Sequence, residues 1–310
     1  MTAESPWLDI YVLCHNRPGL ARETIRSILA QNERGFRLII SDNSTNEQVA
    51  EMVGKHYPEL QIIHRGGIPP FEHFNACIRE AQAPYFCLFH DDDLMEPDFV
   101  KEMRLASTHY PQAVAIGGNA WVIQLSNGVR ESGILGMGRF QKIQGPARLF
   151  ERYFGRHQTG IAPFPSYVYQ TQRCQNQSML TSGGKYADVS WLLSLAAQGL
   201  IVWCNTPLMQ YHLHGGNDGM AESLRDRLRF LAFMKQHPDW CSPSGFIDYR
   251  YFLYQKILAA ENNRKVKRPR RINWLETQLQ ILRQRRKSYR RNWRLLLRKQ
   301  LIKTLNWKSK

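Results

Sequence analysis

A chain of 310 residues can bury one large core with appended elements. Its formal net charge of +16 is unevenly placed: residues 264–310 hold 18 of the 42 Lys and Arg beside the single acid Glu276, leaving the first 263 residues with 24 bases against 25 acids. The excess therefore belongs wholly to the tail, and no run of about 18 uncharged apolar residues offers a membrane-spanning helix. Six cysteines (14, 77, 87, 174, 204, 241) lie scattered without a Cys-x-x-Cys pair, several inside apolar runs, which reads as reduced core thiols of a cytosolic protein. Met1–Asp9 is neither basic nor followed by a long apolar stretch, so no secretory signal is expected.

The first 120 residues alternate strands with helices. Leu8–Cys14 is a strand ending in Cys14-His15-Asn16-Arg17, and Pro18 then suits a helix's first turn, with Leu20, Ile25, Ile28 and Leu29 at helical spacing down to Gln31. Phe36–Ser41 is a second strand closed by Asp42-Asn43-Ser44, and Glu47–Tyr57 a second helix ended by Pro58. Leu60–His64, a helix over Phe71–Ala83, and the strand Tyr85–Phe89 follow. A helix over Pro97–Tyr110 then leads to two strand-like runs, Ala113–Ile116 and Ala120–Leu125. Such alternation implies parallel βαβ units with helices on both faces of the sheet.

His90-Asp91-Asp92-Asp93 follows the fourth strand directly. Adjacent carboxylates repel one another, and a divalent metal reverses that cost, because Mg²⁺ and Mn²⁺ take hard oxygen ligands and bridge them to phosphates. A solvated acidic turn is the plain alternative. Ligands of open α/β sheets bind beyond the carboxyl ends of strands, where Asn16, Asp42 and Asp91–Asp93 all collect. Three polar clusters on one rim describe a nucleotide pocket better than they describe a core.

The ordered set His15-Asn16-Arg17-Pro18, Ile39-Ile40-Ser41-Asp42-Asn43-Ser44, Phe74-Asn75-Ala76 and Tyr85–Phe89 with His90-Asp91-Asp92-Asp93-Leu94 resembles the family 2 glycosyltransferases of GT-A fold. The likeness covers about residues 6–125 and resumes over 185–219. It implies an α/β Rossmann-like, mostly parallel sheet flanked by helices, with a C-terminal helical basic extension. It further implies that Cys14, His15, Asn16 and Arg17 line the base and ribose of a sugar nucleotide, with Asp42 accepting from the base and Asn75 also on the donor side. The plain alternative for Asp42 in Asp-Asn-Ser is a turn-forming residue. The family's metal pattern is Asp-x-Asp, usually followed by another acid. Aligned on Asp92-Asp93-Leu94, it puts His90 where the first Asp belongs, a departure from the pattern. The resemblance then implies Asp92 as the principal ligand of Mn²⁺ or Mg²⁺, Asp91 as a ribose contact or further ligand, and Asp93 facing the donor sugar or ordering the loop. The register with Asp91 and Asp93 flanking Asp92 stays open.

Farther on, Lys185-Tyr186-Ala187-Asp188 precedes the amphipathic run Val189–Ala196, placing Asp188 where the family carries its general base. An ordinary helix-start carboxylate would sit there too. In Tyr211-His212-Leu213-His214, His214 resembles the family's metal- or diphosphate-reaching His, and His212 replaces its usual Arg.

The tail sets Tyr289, Trp293, Leu296, Leu297, Leu301 and Leu305 at helical spacing among basic residues. A basic amphipathic helix on an anionic membrane surface competes here with a helical bundle pairing with itself or a partner. A role in nucleic-acid binding lacks any matching module elsewhere, so no nucleic acid partner is expected. Four regions are expected: residues 1–125 for the nucleotide sugar, 126–219 for the acceptor and the base, a helical extension over 220–263, and the basic tail 264–310. Residues 126–184 carry glycines and aromatics without a readable period and are assigned to the acceptor side. The implied activity is inverting, metal-dependent transfer from a nucleoside-diphosphate sugar to a glycan or lipid-linked oligosaccharide in surface polysaccharide biosynthesis, in the cytoplasm at the inner face of the membrane. A nucleotidyltransferase and a non-catalytic nucleotide-sugar-binding scaffold are the competing classes.

Overall fold

The computed structural model describes residues 5–126, 128–134, 138–154, 160–213, 224–263 and 268–307, with side chains described as far as Tyr289. Strand β1 (Leu8–Cys14) is followed by α1 (Pro18–Leu29), β2 (Phe36–Asp42), α2 (Gln48–His56), β3 (Gln61–His64), α3 (Pro70–Glu80) and β4 (Tyr85–His90). The four strands run parallel in the order β3-β2-β1-β4, and each crossover is a helix, as parallel neighbours require. Alternate residues of β1 enter opposite cores. Leu8, Ile10, Val12 and Cys14 join Ile25 of α1 and Val49 of α2, whereas Tyr11 and Leu13 join Cys77 and Ile78 of α3. Both faces of the sheet are thus buried, which explains why these strands read as near-continuous apolar runs.

The rest of the sheet is built from β5 (Leu94–Met95), α4 (Phe99–His109), β6 (Ala113–Gln124), β7 (Arg130–Ser132), β8 (Phe140–Gln144), α5 (Pro146–Phe154), β9 (Tyr167–Gln170), α6 (Thr171–Cys174), α7 (Ala187–Ala196) and β10 (Leu200–Leu213). β9 lies antiparallel between β4 and β6, β10 is parallel to β6, and β5 and β8 run antiparallel along β10. The two runs expected at 113–116 and 120–125 form one strand, β6. Gly117 and Gly118 look like a break in sequence but serve close packing. A Cβ at Gly117 would sit 2.8 Å from Ala162 and from the Tyr167 ring, and one at Gly118 would sit 2.8 Å from Met103 Cε. The insertion of β9 was not foreseen, because four residues behind a proline-containing loop carry too little pattern.

Among the described residues, three further α-helices follow: α8 (Leu224–Gln236), α9 (Pro243–Asn262) and α10 (Pro269–Trp307). The basic segment begins docked. Leu275 and Leu282 of α10 are buried in the core that holds Leu253 and Ile257 of α9. Arg271 pairs with Glu261 at 3.2 Å, Arg283 Nε donates to Tyr251 Oη at 3.2 Å, and Arg286 pairs with Asp248, so the two helices run past each other in opposite directions. All six cysteines are buried and unpaired. Among the described residues no helix is long and apolar enough to cross a membrane.

Candidate active site

Register brings the strand ends level. Cys14 pairs with Asp42 across β1 and β2, and Leu13 pairs with His90 across β1 and β4, so all three polar turns open on one rim. The first two turns are joined by hydrogen bonds. Asn43 N donates to Cys14 O at 2.9 Å, and Asn16 N donates to Ser44 Oγ at 2.8 Å. Asn16 adopts φ +54, the left-handed region that Asn tolerates better than bulkier residues. Its side chain secures that conformation, with Oδ1 accepting from Thr45 N at 3.0 Å and Nδ2 donating to Thr45 Oγ1 at 3.1 Å. His15 Nδ1 lies 2.8 Å from Asn43 O; a carbonyl only accepts, so Nδ1 carries the proton. Asp42 is buried and accepts from Ser44 N at 3.0 Å, the turn arrangement that its sequence context allows, while Oδ2 faces His64 Nδ1 at 3.7 Å.

The three acids are all buried, and each has its own task. Asp91 accepts from His15 N at 3.0 Å through Oδ2 and pairs with Arg17 Nη2 through Oδ1. Arg17 Nη1 pairs with Asp92 Oδ2 at 2.7 Å, so one guanidinium ties the β1–α1 turn to two acids. Burial opposes the charge on Arg17, but Asp91 and Asp92 outweigh it and hold the guanidinium above its ordinary range. Burial also lifts the carboxyl of Asp91, to about 6, against the pull of Arg17 and the His15 amide. Asp93 is raised well above its ordinary value, first by burial and then by Asp92. Its Oδ1 accepts from His212 N at 2.9 Å, and His212 Nδ1 lies 2.8 Å from Asp92 O. Strand β10 thereby clamps the acid turn, helped by β5, which pairs Leu94 with Gln210.

These residues fit a divalent cation. One donor atom each from His90, Asp92 and Asp93 lies within 4.8 Å of the others. Asp93 Oδ2 is buried with no hydrogen-bond partner among the described residues, and His90 Nδ1 stands 4.0 Å from it. Asp91 is outside this cluster, because both its oxygens face Arg17 and His15. His90, not named as a ligand from sequence, is inside it. His214 lies outside the described residues.

Asn75, expected on the donor side, ties together two segments distant in sequence. Its Oδ1 accepts from Met179 N at 2.8 Å and its Nδ2 donates to Met179 O at 3.1 Å, so α3 anchors the segment leading to Asp188. That segment, Thr181–Tyr186, is two short 3₁₀ turns kinked at Gly184, whose φ is +62 and where a Cβ would meet Asp226 Oδ1 at 2.8 Å. Asp188 then stands in the first turn of α7, half-buried. Burial pushes its carboxyl up to about 6, against the opposing pull of the Val189 amide and its own. Burial likewise raises the Tyr211 phenol, and the charges of Asp93, Asp92 and Asp188 raise it further. Tyr211 thus feels the charge of both the acid turn and Asp188.

A mostly parallel sheet of this order, with one antiparallel strand inserted and buried acids at the carboxyl end of the fourth strand, is the GT-A architecture of enzymes that act on nucleotide sugars. Residues 9–160 match the sequence profile of Glycosyl transferase family 2, and the chain belongs to that family as a glycosyltransferase. Among solved structures, residues 1–349 of S. aureus TarS in complex with UDP superpose with a TM-score of 0.55 at 12% identity, covering 92% of this chain and 91% of that chain. The same protein in complex with UDP-GlcNAc gives 0.54 at 13% identity, covering 88% and 70%. At such identity the likeness is one of fold. No curated protein matches the sequence significantly.

Proposed function

We propose that the enzyme transfers a sugar, with inversion, from a nucleoside-diphosphate sugar to a hydroxyl of a glycan or lipid-linked acceptor, as a step in surface polysaccharide synthesis at the inner face of the cytoplasmic membrane. The single observation that carries the reading is the convergence of Cys14–Arg17, Asp42 and the acid turn on one rim; the resemblance to the family supplies Asp188, in the first turn of α7, as the base. The nucleotide is received by the two joined turns, where Asp42 offers Oδ2 to the base. Arg17 keeps Asp91 and Asp92 paired, and His212 holds Asp93 from β10. A divalent cation held at His90, Asp92 and Asp93 would neutralise the diphosphate as it leaves. Asp188 accepts the proton of the acceptor hydroxyl while that oxygen bonds to the anomeric carbon and the bond to the diphosphate breaks on the opposite face. A base poised near pH 6 is ionised at neutral pH yet basic enough to take part in proton transfer.

The tail supports the membrane assignment by charge. Each Lys or Arg near an anionic surface contributes about 1 kcal/mol, so the basic residues of the segment 264–310 supply ample attraction. The direct test is a thermal-shift panel of sugar nucleotides, UDP-GlcNAc among them, with and without Mn²⁺, since a ligand of the native state raises its stability by mass action. A shift that requires both donor and Mn²⁺ is expected. No shift with any donor would overturn the reading.

A further inference from the structure

The cluster on the acid turn differs from an all-oxygen site in one donor. His90 ends β4, and its ring is flanked by Phe74, 6.4 Å away between centroids at 20° interplanar, and by Phe164 at 6.0 Å and 41°. These rings fix the plane of the imidazole before any ligand arrives. The two carboxylates are fixed independently, Asp92 by Arg17 and Asp93 by the His212 amide. What results is one nitrogen and two oxygens within 4.8 Å of one another, with the buried Asp93 Oδ2 lacking a hydrogen bond. A divalent ion shared by the three donors would draw them closer together than they stand without it.

We infer that His90 is a direct nitrogen ligand of the bound cation and makes the site selective for a first-row transition ion over Mg²⁺. The inference rests on the glycosyltransferase reading only for the identity of the site. Mg²⁺ prefers an all-oxygen shell, whereas imidazole favours transition ions, with affinity rising from Mn²⁺ towards Co²⁺. An imidazolium simply paired with Asp93 is the competing account, and it predicts no metal–nitrogen bond.

The test is pulsed EPR of Mn²⁺ bound to the full-length protein, alone and with UDP, in unlabelled and ¹⁵N-histidine-labelled protein. A directly bound imidazole gives a ¹⁴N modulation that changes to the ¹⁵N pattern on labelling. In His90→Asp the modulation should vanish while Mn²⁺ still binds, and the Mn²⁺-over-Mg²⁺ affinity ratio from calorimetry should fall by roughly tenfold or more. Absence of nitrogen modulation in the unsubstituted protein, its persistence in His90→Asp, or failure of Mn²⁺ to bind at all would each overturn the inference. The labelling experiment needs no substitution, so a poorly folding variant leaves the inference testable. Donor binding in the thermal-shift panel without nitrogen coordination would sink this inference and leave the proposed function standing.

Discussion

Replacing Asp188 by Asn separates a catalytic base from an ordinary helix-start carboxylate, because the two roles move stability in opposite directions. Burial lifts the Asp188 carboxyl from 3.8 to about 6 in the folded chain. Two pH units correspond to about 3 kcal/mol of extra cost for the charged form. The folded state holds the proton more tightly than the unfolded one. The penalty is therefore absent below about pH 4, grows as pH rises, and is complete above about pH 6. Asp188→Asn keeps an oxygen for the Val189 amide and removes the charge. The variant should be about 2–3 kcal/mol more stable at pH 7.5, a rise of several degrees in Tm, and the gap should close towards pH 4. At the same time kcat should fall by about 10²–10⁴, with donor affinity unchanged. In the unsubstituted enzyme kcat/KM should decline below about pH 6. Melting curves from pH 4 to 8, donor-induced thermal shifts and nucleotide release measure all of this. A variant about 1 kcal/mol less stable at pH 7.5 would show a helix-dipole partner instead. Equal losses of donor affinity and rate would also refute the assignment.

The other predictions concern the acid turn, the tail and the packing of β6. Asp92→Ala should abolish transfer and leave the fold intact by circular dichroism; near-normal nucleotide release from Asp92→Ala, or from the unsubstituted enzyme in EDTA, would refute the metal assignment. Ending the chain at residue 289 should keep the fold and reduce binding to anionic liposomes in co-sedimentation. Ending it at 263 should give insoluble or unfolded protein, because it removes the buried Leu275 and Leu282, each side chain of that kind being worth about 2–5 kcal/mol. Undiminished liposome binding at 289, or a stable protein at 263, would contradict this. Gly117→Ala should cost about 1–3 kcal/mol by denaturant melts, since the new methyl meets Ala162 and Tyr167 at 2.8 Å; an unchanged midpoint would show that β6 can shift.

The first half of the fold was legible in the residues themselves, because parallel strands buried on both faces need uninterrupted apolar runs and helices need their own period. Leu8–Cys14 and Pro18–Leu29 show both signals. The acid turn was legible for a related reason: three adjacent carboxylates behind a buried strand are costly without a cation or a cationic side chain to balance them. The resemblance to the family singled out Asp188 as well, at the helix start where α7 begins. Contacts between residues distant in sequence were not legible. Nothing local distinguishes Asn75 as a clamp on Met179 from Asn75 as a donor contact, since an amide serves either. Nor does an apolar helical stripe reveal that Leu275 and Leu282 face α9 rather than a bilayer. The short β9 acquires strand geometry only because β4 and β6 leave a place between them. The division of labour among Asp91, Asp92 and Asp93 also depends on tertiary structure. Three identical side chains in a row differ only in what the fold sets beside them: Arg17 and His15 at the first, Arg17 again at the second, and His90 and the His212 amide at the third.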